Sequence, residues 1–582
     1  MQSNSNPTDR FHAERLSELS QRHQDWLDAH GLRTLQGSFY TPFDVVESLI
    51  EVAAGKRISE ITSTNDAPLV IDPACGTGNF LIIFALRIVD RLVANGLDEA
   101  SAIQFTVRNC VFGTDVDETA LRQCAANLSS LTFGAVRPSE IRKHFLLRDS
   151  LMVHEFGGPP VAQPSFFDVA PETWADLFPS VFKSDSQGFD VVIGNPPFLN
   201  QLSTETASSA NQFAELASRY QDSISKLTNT ASIFFLAAMR MVKKTGIISF
   251  IQPISFLATR DSESVRRCIA ETKSLASIWI CSEKVFDAAV QVTAITLDLS
   301  FVSPKVEIYS ERSFNSVGDT RQFSEDEPTW SRAITAARNF PTAVLQSSGV
   351  LGDIASITGD FRDQYYGIAE AVVENPTPTA TQMKLATVGL IDPGLFSWGK
   401  TQTRFNKKPY VFPVVNLDAL APKILDWAQN RRRAKVIVAT QTKILECYVD
   451  HNGDVLPSVP LSTINSEPEM IWHIAAMISA PPISLIAAER HLGAGMSADV
   501  LKLGAPDLLN LPLPMHKDQW DLAALEFQRL QSMALGDERS TSMKKIGKLM
   551  CQAYGVNDDS VINWWIGRHP RSLRESNHGF GN

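Results

Sequence analysis

The stretch "FDVVIGNPPFLN" (189–200) ends an apolar, strand-like run with an asparagine, two prolines and an aromatic residue. Proline has no N–H, so Pro196 and Pro197 stop strand pairing at the carboxyl edge and stiffen the turn. A stiff turn holds the Asn195 side-chain oxygen and the Pro196 carbonyl as two fixed acceptors. A ring-bound amine offers two N–H donors and is a poor nucleophile, because its lone pair is delocalised into the ring. Two aligned acceptors can hold both hydrogens and free that lone pair for attack on an electrophilic methyl group. Phe198 adds a flat face on which a base swung out of a duplex can stack. The competing account is a stiff turn and nothing more.

A second constellation precedes it. "VIDPACGTGNF" (70–80) places Asp72 at a strand's carboxyl end, then Gly76 and Gly78 ahead of a helix, where open α/β sheets bind ligands. A dinucleotide site wants a third glycine three residues on and an acid about 20 residues later. Leu81 stands at the first position, and the next strand-end acid, Asp115 in "VFGTDVDET", comes 37 residues after Gly78. A dinucleotide therefore fits poorly, and a smaller adenosine ligand without a pyrophosphate remains open. "LLRDSL" supplies a third strand-end acid, Asp149, followed by Ser150; alone, Asp-Ser is as readily a helix cap.

These motifs need a sheet to align them. The strand candidates are "PLVIDPA", "CVFGTDVD", "HFLLRDSL", "FDVVIGNPPF", "GIISFIQPISFL", "LASIWI" and "TAITLDLSF". Helical stretches such as "NFLIIFALRIVDRLVAN" and "TASIFFLAAMRMVKK" lie between several of them, the alternation of a parallel, doubly wound α/β sheet. This domain is expected over 37–305, after a helical lead-in at 1–36. Residues 306–345 read as a connector, 346–515 as an irregular α+β domain, and 516–582 as helical with a disordered tail, "RESNHGFGN".

Seven cysteines without a C-x-x-C pair or zinc spacing suit reduced thiols in a cytoplasmic protein, with no metal site. No apolar run reaches the ~18 residues of a membrane span, so no membrane partner is expected. The net charge of −11 opposes a polyanion partner, but Lys400–Asp450 carries ten basic residues against four acidic ones, a local +6. Within it, "WGKTQTRFNKKPY" and "NRRRAKVIVATQTK" offer Lys400, Arg404, Lys407, Lys408, Arg431, Arg432, Arg433, Gln441 and Lys443, side chains suited to phosphates and base edges. An ordinary solvated surface has the same composition, and the aromatics of "GDFRDQYYG" (359–367) suit a core equally well.

Taken in order, "GSFYTP", "DPACGTGNF", "FGTDVDETA", "RDSL" and "NPPF" resemble the S-adenosylmethionine-dependent DNA adenine N6-methyltransferases in their gamma arrangement. The resemblance covers 37–301 and is only general beyond. It implies a Rossmann-like class I methyltransferase domain with a mixed seven-stranded sheet, followed by an α+β target-recognition domain. It places Tyr40, Thr41 and Pro42 at the methionine side of S-adenosyl-L-methionine, and Asp72, Ala74, Gly76 and Gly78 in the cofactor loop. Asp115 would meet the ribose and Asp149 the adenine, with Val116 and Ser150 also among the cofactor-binding residues. Asn195, Pro196, Pro197 and Phe198 would be catalytic, and Phe286 would face Phe198 across the flipped base. Phe198 stands where many members have tyrosine, so stacking survives and a hydroxyl contact is lost.

The substrate stays open at this level. The same loop serves enzymes that methylate protein glutamine amides or RNA guanines; cytosine C5 chemistry needs a Pro-Cys thiolate that is absent. More than 200 residues after the first domain favour double-stranded DNA, which needs a second lobe to clasp it. The expectation is a self-sufficient, prokaryotic, nucleoid-associated methylase, solitary or paired with a separately encoded nuclease. The alternatives are a subunit of a larger defence assembly and an inactive DNA-binding relic.

Overall fold

The computed structural model describes residues 41–153, 173–182, 187–198, 216–220, 224, 228–283, 285–286, 291–359, 362–494 and 499–569. The expected lead-in helix, Tyr40 and the C-terminal tail lie outside the described residues. The chain divides into two compact units, Met1–Arg338 and Asn339–Asn582.

The first unit is α/β with a large mixed sheet. Its strands are β1 (Val70–Asp72), β2 (Val111–Asp115), β3 (Phe145–Leu147), β4 (Phe189–Gly194), β5 (Val242–Pro253), β6 (Leu275–Cys281), β7 (Val292–Asp298), β8 (Lys305–Ser310) and β9 (Asn315–Arg321). Their spatial order is β3-β2-β1-β4-β5-β7-β6-β8-β9. The five strands from β3 to β5 pair in parallel. β4 is buried along its whole length, which explains its unbroken apolar reading.

The sheet is mixed, as the resemblance implies, but two features go beyond the parallel strand pattern and the count of seven. β7 lies antiparallel between β5 and β6. The link from Cys281 to Val292 is shorter than the dozen or so residues a parallel crossover requires, so the chain returns as a hairpin. The stretch expected to be a connector instead adds β8, parallel to β6, and β9, antiparallel to β8. β9, "NSVGDTR", is an edge strand with no buried position, so it carries no apolar alternation to read.

Helices α1 (Phe43–Ser59), α2 (Asn79–Ala94), α3 (Glu99–Asn109), α4 (Glu118–Leu131) and α5 (Thr230–Met241) accompany this sheet. α2 buries Phe80, Leu81, Phe84, Ala85, Ile88 and Leu92, apolar positions three or four apart that form one stripe. That stripe joins Val45 and Leu49 of α1 and the strands β1, β2 and β4 in one core. At the amino end of β4, Asp190 is tied to Arg57 and Lys243, both at 2.8 Å, and accepts from the Leu69 amide. The carboxyl end is thereby left to the loops.

The second unit holds two four-stranded sheets. One contains Ala355–Gly359, Leu461–Ser466, Lys435–Ala439 and Glu446–Asp450. The other contains Val372–Glu374, Pro413–Asn416, Gln382–Ala386 and Val455–Pro457. Three helices, Lys517–Ser532, Asp537–Ala553 and Asp559–Arg568, follow. Among the described residues no single helix is long and apolar enough to cross a membrane.

Candidate active site

The strand order reverses beside β1, whose neighbours are β2 on one side and β4 on the other. At such a switch point the loops leaving adjacent strands diverge and open a crevice at the carboxyl edge. Ile71 pairs with Val192, so Asp72 and Gly194 end their strands side by side. The contact is close: a Cβ on Gly194 would lie 2.4 Å from the Asp72 carboxylate oxygen. Only glycine leaves room for that carboxyl group immediately before Asn195. Gly194 escaped notice in the sequence, because an apolar strand gives no sign of what sits against it.

The glycine loop is held from several directions. Gly76 has φ +52° and Gly78 has φ +92°, left-handed conformations that favour glycine. A Cβ on Gly78 would meet the Cys124 sulfur at 2.5 Å, whereas one on Gly76 would enter open space among the described residues. The Gly76 amide donates to the Asp115 carboxylate at 2.8 Å, and the Cys75 amide donates to the Thr114 carbonyl at 3.0 Å. The Pro73 carbonyl accepts from the Ser150 hydroxyl at 2.7 Å and the Thr114 hydroxyl at 3.2 Å. Ser150, expected among the cofactor-binding residues, is 2% exposed and braces the loop through the Pro73 carbonyl.

Asp115 ends β2 half-buried, and the next residue, Val116, is 68% exposed. An apolar side chain standing in solvent beside an acid offers a face to a flat ring. Asp149 ends the following segment and accepts from the Leu151 amide at 3.0 Å, the local cap its Asp-Ser sequence suggests.

Asn195 leaves β4 half-buried, and its amide nitrogen donates to the Thr41 hydroxyl oxygen at 3.1 Å. Thr41 is itself buried, and its backbone carbonyl accepts from the Asn79 amide nitrogen at 3.0 Å. Asn127 donates in turn to the Thr77 carbonyl at 3.0 Å. Pro42 caps α1, and its carbonyl accepts from the Val45 and Val46 amides. Asn79 and Asn127 were missed in the sequence. Asn79 directly follows the glycine pair and could have been suspected there; nothing local marks Asn127.

Pro196 is buried, and Pro197 and Phe198 are half-buried. Phe198 packs against the first unit's core. Phe286 meets it edge to face, with ring centroids 6.5 Å apart and planes at 72°. The two rings therefore do not stand parallel with a slot between them, as the expected pairing across a base requires. Phe286, 3% exposed, is drawn into the same core and supports Phe198 from below.

Burial raises the Asp72 carboxyl to about 8, helped by the neighbouring Asp115 charge and opposed by the Ala74 amide. Asp115 is raised too, by burial, against the lowering effect of its bonds from Asp117 and Gly76. The Cys124 thiol and burial push the Cys75 thiol well up, so it stays protonated packing. The crevice thus holds two crowded carboxyl groups that would welcome positive charge.

In the second unit, Thr403–Phe405 and Lys408–Tyr410 form a hairpin whose two turn residues, Asn406 and Lys407, have φ +45° and +65°. Positive φ at both positions gives a turn whose twist matches the strands. Tyr365 props it: its hydroxyl accepts from the Asn406 amide at 3.0 Å, and its ring lies 4.7 Å from that of Phe405. Tyr366 is 65% exposed, so one aromatic of that segment is packed and its neighbour is not. Lys400, Arg404, Lys407, Lys408, Arg432, Arg433, Gln441 and Lys443 are exposed. Arg431 is not. It lies under the surface, its guanidinium 4.6 Å from the Trp427 ring centre and bonded to the Trp427 carbonyl. Lys435 is also buried, paired with Asp450. Both leave the basic surface, because the strand they flank draws them inward.

Residues 109–286 match the family described as the Eco57I restriction-modification methylase. The Type II methyltransferase M.VspI of Vibrio sp. (strain 343) is 25% identical over 268 residues, 46% of this chain and 48% of that protein. The Type II restriction enzyme and methyltransferase RM.Eco57I of Escherichia coli is 23% identical over 274 residues, 41% of this chain and 25% of that protein. The chain thus spans about half the length of the first relative and a quarter of the second. Among solved structures, the Type IIL restriction-modification enzyme MmeI in complex with DNA aligns over 91% of this chain and 76% of its own, with TM-score 0.54 and 12% identity. The DrdV–DNA complex aligns over 90% of this chain and 60% of its own, with TM-score 0.50 and 13% identity. At these identities the likeness is one of fold.

Proposed function

We propose that this chain is a DNA methyltransferase of a restriction-modification system that transfers a methyl group from S-adenosyl-L-methionine to the N6 amine of adenine in double-stranded DNA. One observation carries the proposal. Asn195, on its proline-stiffened turn, emerges at the switch point beside Asp72 and the glycine loop, with its amide anchored on Thr41. An acceptor for an amine and a cradle for an adenosyl group therefore adjoin. The family match over 109–286 and the two methyltransferase relatives support it.

The residues present fit the cofactor. The open side of Gly76 and the Asp115 carboxylate suit a ribose, the exposed Val116 suits an adenine face, and the raised Asp72 suits a cationic ligand. When bound, the cofactor supplies the electrophilic methyl group. The protein's part is to hold and desolvate the acceptor. Asn195 Oδ1 and the Pro196 carbonyl would accept the two N6 hydrogens, localising the nitrogen lone pair. Phe198 would carry the flipped base on its face, and one N6 proton is released to water after transfer. The advantage comes mainly from positioning. The exposed basic residues of the second unit would grip the phosphates, and a nuclease partner would make the methylated site meaningful.

Base-resolution mapping of N6-methyladenine in DNA from cells expressing this chain alone tests the proposal. A methylated adenine in one recurring sequence context is the expected outcome. Unmodified adenine throughout, or methyl groups found only on protein or RNA, would overturn it.

A further inference from the structure

Thr41 was expected to contact the cofactor, and its placement also ties it to the catalytic turn. Its hydroxyl oxygen lies 3.1 Å from Asn195 Nδ2, across 154 residues of chain. Its carbonyl accepts from Asn79 Nδ2 at 3.0 Å, and its side chain is 4% exposed. The residue is held firmly on its other side as well. Pro42 begins the first turn of α1, whose Val45 and Val46 are fully buried. Thr41 is therefore a fixed point placed between the glycine loop and the catalytic turn.

The Asn195 amide needs such a point. The last torsion of an asparagine is broad and two-fold, so a half turn exchanges its oxygen for its NH2 group at little intrinsic cost. For an acceptor of amine hydrogens the two settings are opposites: one presents a lone pair, the other presents N–H donors to N–H donors. A threonine hydroxyl can pair with either end of the amide, accepting from Nδ2 or donating to Oδ1; here it accepts from Nδ2, so Oδ1 is turned away from Thr41 and left to the substrate side.

We infer that Thr41 is a positioning residue for methyl transfer: its hydroxyl anchors the Asn195 amide in the setting that presents Oδ1 to the acceptor amine. The inference rests on the proposed role of Asn195. It assigns Thr41 an effect on turnover that exceeds any effect on cofactor affinity.

The test uses the full chain and the variants Thr41→Val, Thr41→Ser, Asn195→Ala and the double variant Thr41→Val with Asn195→Ala. Valine keeps the branched shape and removes the acceptor; serine keeps the hydroxyl. Turnover is followed as labelled methyl transferred from S-adenosyl-L-methionine to genomic DNA from cells lacking the protein, and cofactor affinity by calorimetry. Thr41→Val should lose about tenfold or more in kcat, since a small misplacement of a reacting group is costly, with cofactor Kd changed less than about threefold. Thr41→Ser should recover most of the rate. The double variant should be no slower than Asn195→Ala, because residues acting through one another are not additive. Should Thr41→Val not accumulate as folded protein, Thr41→Ala serves the same comparison.

Wild-type turnover in Thr41→Val overturns the inference, as does a loss of cofactor affinity that matches the whole loss of rate. An additive double variant overturns it too. An Asn195→Ala variant as active as wild type instead overturns the catalytic reading beneath it, so the two failures are distinguishable.

Discussion

Two tight turns carry the residues on which this protein's proposed chemistry depends, and they are built in opposite ways. The Asn195 turn is closed by two prolines, lies half-buried, and is tied to Thr41 and packed on Phe286. The Asn406-Lys407 turn relies on positive φ, is propped from one side by Tyr365, and leaves Arg404, Lys407 and Lys408 exposed. The difference follows from what each must do. Directing a lone pair demands one orientation of one amide, and orientation is kept by burial and hydrogen bonds. Attracting phosphate demands only charge at roughly the right place, and a charge in water escapes the desolvation that burial imposes.

The comparison can be broken most severely at Asn195. Asn195→Ala should lower kcat/KM by roughly 10²–10³-fold, the scale of removing one oriented hydrogen-bonding group from an active site, while cofactor Kd by calorimetry stays near wild type. Next comes Gly194→Ala, whose new Cβ would lie 2.4 Å from the Asp72 carboxylate. It should destabilise the fold by about 1–3 kcal/mol in denaturant titration, the usual cost of overpacking. An unaffected midpoint would show that the switch point is looser than the contact implies.

Asp72 sharpens the comparison through pH. Its folded pKa is raised from 3.8 to about 8, so between those values the native protein holds a proton that the unfolded chain has released. Stability contributed by that proton is present below pH 4 and is lost as pH rises toward 8, with a slope of at most about 1.4 kcal/mol per pH unit. Thermal unfolding across this window should show the slope in the wild type and a flatter curve in Asp72→Asn. Equal slopes would mean that the carboxyl group is hydrated and ordinary.

The smallest effects belong to the second unit. Replacing Lys407 and Lys408 by alanine should weaken DNA binding and reduce the salt slope by about two, leaving cofactor affinity unchanged. Arg431→Ala should instead leave the salt slope intact and cost about 1 kcal/mol of stability, because the side chain packs on Trp427. If Arg431 moves the slope and the lysines do not, the basic face has been assigned to the wrong side of the hairpin.

What could be read from the chain alone was whatever announces itself locally. Glycines before a helix, prolines after a strand and acids at strand ends each mark a backbone event within a few residues, so the seven core strands and the loops of the crevice were legible. The edge strand β9 was not, because a strand wet on both faces carries no alternation. Residue type also misled where burial decides the role: Arg431 and Lys435 count as charges in the sequence and as core in the fold. The cross-ties were beyond the sequence altogether. Thr41 with Asn195, Ser150 with Pro73 and Asn127 with Thr77 join positions 154, 77 and 50 residues apart. A sequence specifies which backbone groups turn and which side chains avoid water, through forces that act on neighbours. Which amide meets which hydroxyl is settled only when the packed sheet brings distant strand ends together, because a hydrogen bond acts over about 3 Å and leaves no periodic trace along the chain.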